Sequence, residues 1–316
     1  MSTTKYLITG GAGNIGSALT LELSKNENHQ IIIVDNLSTG SVSKIPNSDN
    51  VIFIKADVNN YNDIAPVFGR FNFNYVFHFA AVVGVKRTLE NPMMVLEDIE
   101  GIKNILSLSK NSGVKRVFYS SSSEVYGEPF EIPQNEHTTP LNSKLPYAIV
   151  KNVSEAYLRS YQQEFSLEYT IFRFFNTYGP NQSEDFVIPK FIESAINNKD
   201  ITIYGDGLQT RTFCYIDDNI DAILNIHFNG LIKNDVINIG NDQEITILEL
   251  AKIIINKTNS SSKIVHIKPL KEGDMMRRCP DVKKMKAILN RDLLTVKQGI
   301  KKNIKFYMTK DNESRC

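Results

Sequence analysis

The chain has 316 residues, 41% of them hydrophobic and 22% charged, with a formal net charge of +1. These proportions suit a soluble globular protein with room for two lobes, and a charge so near zero argues against nucleic acid or an anionic membrane surface as partner. No apolar run reaches membrane-spanning length, "MSTTKYLITGG" has no signal-peptide pattern, and Cys214, Cys279 and Cys316 lack metal-ligand spacing, so a cytoplasmic, metal-free protein with free thiols is expected.

In chain order, "KYLIT" (5–9), "QIIIVD" (30–35), "VIFIKAD" (51–57), "YVFHFA" (75–80), "RVFYSS" (116–121) and "YTIFRFF" (169–175) read as strands. They are nearly continuous apolar runs rather than strict alternations, the pattern of a parallel sheet covered on both faces. Helical patterns lie between them at 14–26, 92–112 and 146–165. The alternation predicts an α/β fold, a Rossmann-type doubly wound parallel sheet. Beyond residue 176, "NTYGPNQSED" and "TIYGDGLQTRTF" are rich in turn formers. The expected division is a dinucleotide-binding domain over 1–175, with a returning segment near 212–235, and a smaller interleaved α/β lobe over 176–316. The polar tail "MTKDNESRC" is expected to fray.

"YLITGGAGNIGS" sets Gly11, Gly13 and Gly16 in G-x-G-x-x-G spacing directly after a strand and at the start of a helix, and Gly10, Gly13 and Gly16 fit the related G-x-x-G-x-x-G form. Glycines there allow a tight turn and close approach to a pyrophosphate, which the helix N-terminus then binds through its N–H groups. The second strand ends in Asp35, where an acid can take both hydroxyls of an adenosine ribose. It repels a 2′-phosphate, and no arginine follows in "DNLSTG", which favours NAD over NADP. Asp57, after the third strand, can contact the adenine or cap a turn.

"YAIVK" places Tyr147 and Lys151 four residues apart on one helix face. Spacing alone does not distinguish a catalytic pair from neighbours. Over nearly its whole length, however, the chain carries "TGGAGNIGS", "DNLSTG", "FHFAA", "SSSSEVYGEP", "PYAIVK", "FRFFNTYGP", "VIPKFI", "IYGDGLQTRTFCYIDD" and "INIG" in order. With these blocks it resembles the extended short-chain dehydrogenase/reductase family, in its nucleotide-sugar epimerase/dehydratase branch.

The resemblance implies that Tyr147 is the general base, that Lys151 supports it and holds the nicotinamide ribose, and that Ser122 bonds the same sugar oxygen. Bringing a phenol from about 10 to near neutral takes about 4 kcal/mol, which Lys151 and an oxidised nicotinamide can supply. It further implies NAD contacts at Gly10, Gly13, Asn14, Ile15, Gly16, Asp35, Asn36, Asp57, Val58 and Ala80. Substrate contacts fall on Asn176, Val187, Lys190, Tyr204, Arg211 and Arg278, with Arg211 on the diphosphate. Arg277 fits either that role or a solvated surface pair. His78, inside an apolar strand, reads as a packed core histidine. The apolar faces of 92–112 and 146–165 imply a homodimer through a four-helix contact.

Family members oxidise a sugar carbon, usually C4, and then diverge. Dehydratases carry an Asp–Glu pair where this chain has Ser123 and Glu124, so water elimination lacks its general acid. Decarboxylases of UDP-glucuronate keep the Glu, but with a Gly before the Lys and an Arg after it; here Val150 and Asn152 stand there. "DNLSTG" and "YGDGLQTRTF" look more like 4-epimerases, although those tend to carry a small residue at position 124. A 4-epimerase acting on a nucleotide sugar is therefore expected. The alternatives are a C4 dehydrogenase releasing the keto sugar, a decarboxylase, a dehydratase or an NAD-sensing binding protein. Asn14, Asp98, Thr212, Cys214 and Lys271 depart from the family's usual residues.

Overall fold

A computed structural model describes residues 3–269 and 277–315; Lys271 and Cys316 lie outside them. The chain forms two compact units.

The first unit comprises Met1–Gly127, Leu141–Phe174 and Ile223–Ile237. Its strands are β1 (Thr4–Thr9), β2 (His29–Asp35), β3 (Val51–Lys55), β4 (Tyr75–His78), β5 (Arg116–Ser122) and β6 (Glu168–Phe174), and β7 (Asp235–Ile239) begins in it. The sheet order is β7-β6-β5-β4-β1-β2-β3, and the first six strands pair in parallel. The order reverses between β1 and β4, where ligands of open α/β sheets bind beyond the carboxyl ends of the strands. Leu7, Ile32, Val34, Val76, Val117 and Ile171 share one core cluster, which explains why these strands are apolar almost without interruption.

Helix α1 (Asn14–Ser24) follows the glycine loop, and α2 (Tyr61–Arg70) links β3 to β4. α2 is not among the helical patterns expected from the sequence; it contains Pro66, and Ile64, Val67 and Phe68 give it one buried face. The stretch expected as one helix over 92–112 is a short helix, Pro92–Leu96, then α3 (Asp98–Asn111). Helix α4 (Pro146–Phe165) starts on a proline that needs no N–H partner, and buries Ala148, Lys151, Ser154, Glu155 and Leu158 along one stripe before Ser166 ends it in the left-handed region. β7 takes up "VINIG", within the span 176–316 expected for the interleaved lobe, and is a seventh strand of the main sheet. Its neighbour β6 lies some sixty residues earlier, and periodicity does not say which sheet a strand joins.

The second unit comprises Glu128–Pro140, Phe175–Ala222 and Asn238–Cys316. It contains three two-stranded pairings: Thr177–Tyr178 with Cys214–Tyr215, Thr210–Thr212 with Glu244–Thr246, and Ile201–Tyr204 with Ile264–Ile267. "ITILELAKIII" is mostly helix, Ile247–Thr258, capped by Thr246, whose hydroxyl accepts from the Glu249 amide. Of the tail expected to fray, residues 308–315 lie in helix Val296–Arg315. No helix among the described residues is long and apolar enough to cross a membrane.

Candidate active site

The glycine loop lies at the carboxyl end of β1. Gly10 has φ +68°, and a Cβ there would meet the backbone of Phe79 and Ala80 at 2.7 Å; only glycine fits. At Gly16 a Cβ would collide with the Gly10 carbonyl. Gly13 caps α1 without a side-chain hydrogen bond, and the first turn holds no acid, so its N–H groups stay open to an anion. Asn14 and Ile15 form that turn, and Asn14 Oδ1 is buried with no hydrogen-bond partner. The cradle and the open helix end fit a dinucleotide diphosphate.

Asp35 ends β2 and is buried. Its Oδ2 accepts from the Ala12 amide at 3.0 Å and its Oδ1 from the Leu37 amide at 2.8 Å. Each oxygen keeps a further lone pair for a ribose hydroxyl, so the same carboxylate braces the loop and offers acceptors. Asn36 donates to Asp57 at 3.0 Å and accepts from the Ser38 amide. Asp57 also accepts from the Asn59 amide, which makes it a turn-capping residue in the protein alone. Val58 is packed into the core and its carbonyl accepts from Asn104. The Ala80 amide donates to Thr9 Oγ1 at 3.3 Å, and Thr9 Oγ1 also bonds His78 Nδ1 at 2.7 Å. Burial, with the nearby Lys151 charge, pushes the His78 pKa down to about 3, so the imidazole stays neutral.

A second group of side chains gathers where β5 meets α4. Ser122 is the last residue of β5 and caps the short turn Ser123–Tyr126, accepting from the Glu124 amide at 3.2 Å. It shares a side-chain hydrogen bond with Tyr147, in the first turn of α4. One turn on, the buried Lys151 donates from Nζ to the Ser120 carbonyl at 2.7 Å. Its ammonium sits 4.8 Å from the Tyr119 ring centroid and 5.7 Å from that of Tyr147, cation–π contacts that partly replace water. Sheet and helix thus bring Ser122, Glu124, Tyr147 and Lys151 into one corner.

The electrostatics of the corner are not those of a ready base. Burial first, then the charge of Glu124, holds the Tyr147 phenol above its ordinary value, against the hydrogen bond with Ser122. Burial lowers Lys151 to about 8, opposed by the charges of Asp98 and Glu155. The chain by itself stores a protonated phenol beside an easily discharged lysine. Asp98, at the start of α3, accepts from the Val82 amide at 2.7 Å and from Asn59 at 3.2 Å, and burial raises its pKa. Glu155 and Arg173 pair at 2.7 Å, both buried. The sequence reading assigned no role to these two. The available signal was a charge inside an apolar pattern: Arg173 within "YTIFRFF", and Glu155 on the buried stripe of α4.

The expected substrate residues all lie in the second unit. Asn176, at φ +38°, donates to the Thr212 carbonyl at 2.9 Å. This ties it to the strand that carries Arg211, whose guanidinium reaches the Thr210 carbonyl at 2.7 Å. Thr212 is fully buried with its hydroxyl unpartnered. Arg278 is buried. Arg277 forms a two-pronged pair with Glu244 at 2.7 and 2.8 Å on the surface. Val187 begins helix Val187–Ile196, on which Lys190 is exposed. Tyr204 ends its strand partly exposed, and its carbonyl accepts from Gln209.

Residues 6–240 match the model of the NAD dependent epimerase/dehydratase family. The chain belongs to that family. It is 35% identical to a putative UDP-glucose 4-epimerase of Methanocaldococcus jannaschii, covering 94% of this chain and 96% of the relative. It is 36% identical to a UDP-N-acetyl-alpha-D-glucosaminuronate decarboxylase of Bacillus cytotoxicus, covering 98% and 99%. Among solved structures, the UDP-glucose 4-epimerase of Thermotoga maritima with UDP-glucose superposes with a TM-score of 0.90 at 30% identity, covering 97% and 99%. The protein is therefore an NAD-dependent enzyme of the extended short-chain dehydrogenase/reductase type with a Rossmann fold, the cofactor and fold expected from its sequence.

Proposed function

We propose that the protein oxidises a nucleotide sugar at C4 and acts as a nucleotide-sugar 4-epimerase. The observation that carries this reading is the corner of Ser122, Tyr147 and Lys151 at the carboxyl end of β5. Bound NAD supplies the hydride acceptor for C4 and the store from which the hydride returns. Tyr147 Oη takes the proton of the C4 hydroxyl, and the Ser122 hydroxyl holds the same oxygen. Lys151 keeps two ammonium hydrogens beyond the one given to Ser120, which suits the ribose and the field at Tyr147. The positive charge of the oxidised cofactor opposes the burial that keeps the phenol protonated. The keto sugar then turns over and is reduced on its other face. Arg211, with Arg278 and Asn176, is assigned to the diphosphate.

Position 123 supports epimerisation over dehydration: a serine there cannot protonate a leaving hydroxyl as a carboxylic acid does. A second reading, decarboxylation of a nucleotide uronate, draws on Glu124, whose charge reaches Tyr147, and on the likeness to the Bacillus cytotoxicus enzyme. The test is incubation of the purified protein with UDP-glucose, UDP-N-acetylglucosamine, dTDP-glucose and UDP-glucuronate, followed by product separation. A 4-epimer from any of the first three supports the proposal; carbon dioxide from UDP-glucuronate replaces it with the second reading. Absence of any turnover leaves an NAD-binding protein.

We also infer a homodimer. Helix α4 exposes Ile149 and Phe165, and a groove of about 350 Å³ runs over Val153, Ala156, Tyr157 and Tyr161. Sedimentation at a monomer mass would remove this inference.

A further inference from the structure

Three consecutive serines end β5, and each is tied to a different turn of α4. The Ser120 carbonyl takes Lys151 Nζ at 2.7 Å, Ser121 Oγ donates to Glu155 Oε1 at 2.6 Å, and Ser122 bonds Tyr147. Tyr147, Lys151 and Glu155 stand at i, i+4 and i+8, so they share one face of the helix. Glu155 is fully buried and its carboxylate is saturated: Arg173 reaches Oε1 at 2.9 Å and Oε2 at 2.7 Å, and Arg159 reaches Oε2 at 3.4 Å. Arg173, on β6, also donates to Tyr126 Oη at 2.9 Å, two residues beyond Glu124. One carboxylate therefore joins β5, β6, the turn after β5 and α4 immediately behind the reactive corner.

We propose that Glu155 and Arg173 are positioning residues for the proton transfer. Their buried pair fixes the Ser120–Ser122 strand end against the turn of α4 that bears Tyr147 and Lys151, and their opposed charges set the field there. The inference rests on the reading of Tyr147 as the base.

An electrostatic role separates from a purely structural one by sign. Glu155→Gln leaves the Arg173 charge unopposed; the potential at the corner becomes more positive, and both Tyr147 and Lys151 lose protons at lower pH. Arg173→Gln leaves the Glu155 carboxylate opposed only by Arg159 at 3.4 Å and drives both the other way. The other charges and titrating groups around Lys151 and Tyr147 are Asp98 from α3, His78 from β4, Tyr119 from β5 and Glu124 from the following turn. None is altered by either substitution, so the difference between the variants belongs to the pair.

The experiment is the pH profile of kcat and KM for the NAD-loaded protein on whichever nucleotide sugar of the panel above it turns over. A substrate-free companion is the phenolate absorbance titration with NAD alone, each variant against its own Tyr147→Phe derivative. The expected result is a profile displaced by about one pH unit downward in Glu155→Gln and upward in Arg173→Gln, the scale of one charge acting over a helical turn or two. In both, kcat falls at least tenfold and KM stays within about twofold. Should the single variants not fold, Ser121→Ala removes only the strand's bond to Glu155, and a several-fold loss in kcat at constant KM is expected. Profiles that are unmoved, or that move in the same direction in both variants, overturn the proposal, as does full activity in Ser121→Ala. If Tyr147→Phe itself keeps full turnover, the reading of the base has failed, and this inference with it.

Discussion

The loop after β1 is built to meet its ligand with backbone, and the end of β5 with side chains. At the loop, glycines at 10, 13 and 16 clear space and an uncapped helix end presents N–H groups. At the end of β5, a buried lysine, glutamate and arginine stand with a half-buried tyrosine. The first arrangement changes little when the ligand binds, because peptide dipoles carry no net charge to titrate. The second is poised: burial holds Tyr147 protonated and brings Lys151 down to about 8, so a nearby charge decides its state. One end of the sheet thus holds a fixed cradle next to an adjustable acid–base group.

The most severe way to break the comparison is Tyr147→Phe. The ring and its packing stay, so folding and NAD affinity should be retained while turnover falls by about 10²–10⁴-fold, the usual worth of a positioned base. Single-turnover appearance of reduced nicotinamide checks it. Loss of NAD binding to the same extent would make the corner part of the cradle.

The two regions also differ in how much of them was legible in the sequence. The cradle was readable because its parts lie within about 25 residues and each has a local signature: strand, glycine spacing, helix, acid. So were the six apolar strands of the first unit. The corner was readable only in part. Tyr147, Lys151 and Ser122 came from motif and resemblance, but Asp98, Glu155 and Arg173 act through burial next to partners distant in sequence. Glu155 to Arg173 spans 18 residues and a change from helix to strand. No local pattern records that pairing. The direction of the Tyr147 shift in the protein alone was likewise out of reach, because desolvation is a property of the packed fold.

Lys151→Met sharpens the contrast through stability rather than rate. In the cofactor-free protein Lys151 titrates near 8 instead of the ordinary 10.5. Between those values the unfolded chain holds a proton that the folded one has lost, so stability rises with pH. Below about 8 both states are protonated and this contribution is flat. The full rise is up to about 3 kcal/mol, at 1.36 kcal/mol for each pH unit. Urea unfolding at about pH 7.5 and about pH 9.5 should show the rise in the parent and not in Lys151→Met. Parallel curves would mean the ammonium is better solvated than its burial implies. No residue of the glycine loop should produce such a pH effect.

A smaller effect is expected from the second unit. Arg211→Ala should weaken nucleotide-sugar binding by about 2 kcal/mol, the worth of a charge-assisted bond to a phosphate, with NAD binding almost untouched. Calorimetry with UDP-glucose and with NAD reads both. A matched loss for the two ligands would make Arg211 a structural residue of its strand.

Asp35→Ala is expected to have the smallest effect, and it acts on the one charged group of the cradle. In the parent protein NAD should bind in strong preference to NADP, because a carboxylate that accepts ribose hydroxyls also repels a 2′-phosphate. Removing it should narrow that preference by about tenfold, close to the lower end for a hydrogen bond to a charged group. Part of the loss has a second origin. Asp35 also holds the Ala12 and Leu37 amides at 3.0 and 2.8 Å, and slackening the loop weakens both cofactors alike. Asp35→Asn separates the two contributions: its carbonyl oxygen keeps one acceptor for the loop while the negative charge is gone. If charge sets the preference, Asp35→Asn should gain affinity for NADP and lose little for NAD. If bracing dominates, Asp35→Ala should lose both equally and Asp35→Asn should resemble the parent. Equal affinity of the unaltered protein for NAD and NADP would defeat the charge assignment outright, leaving a cradle that recognises its ligand by backbone alone.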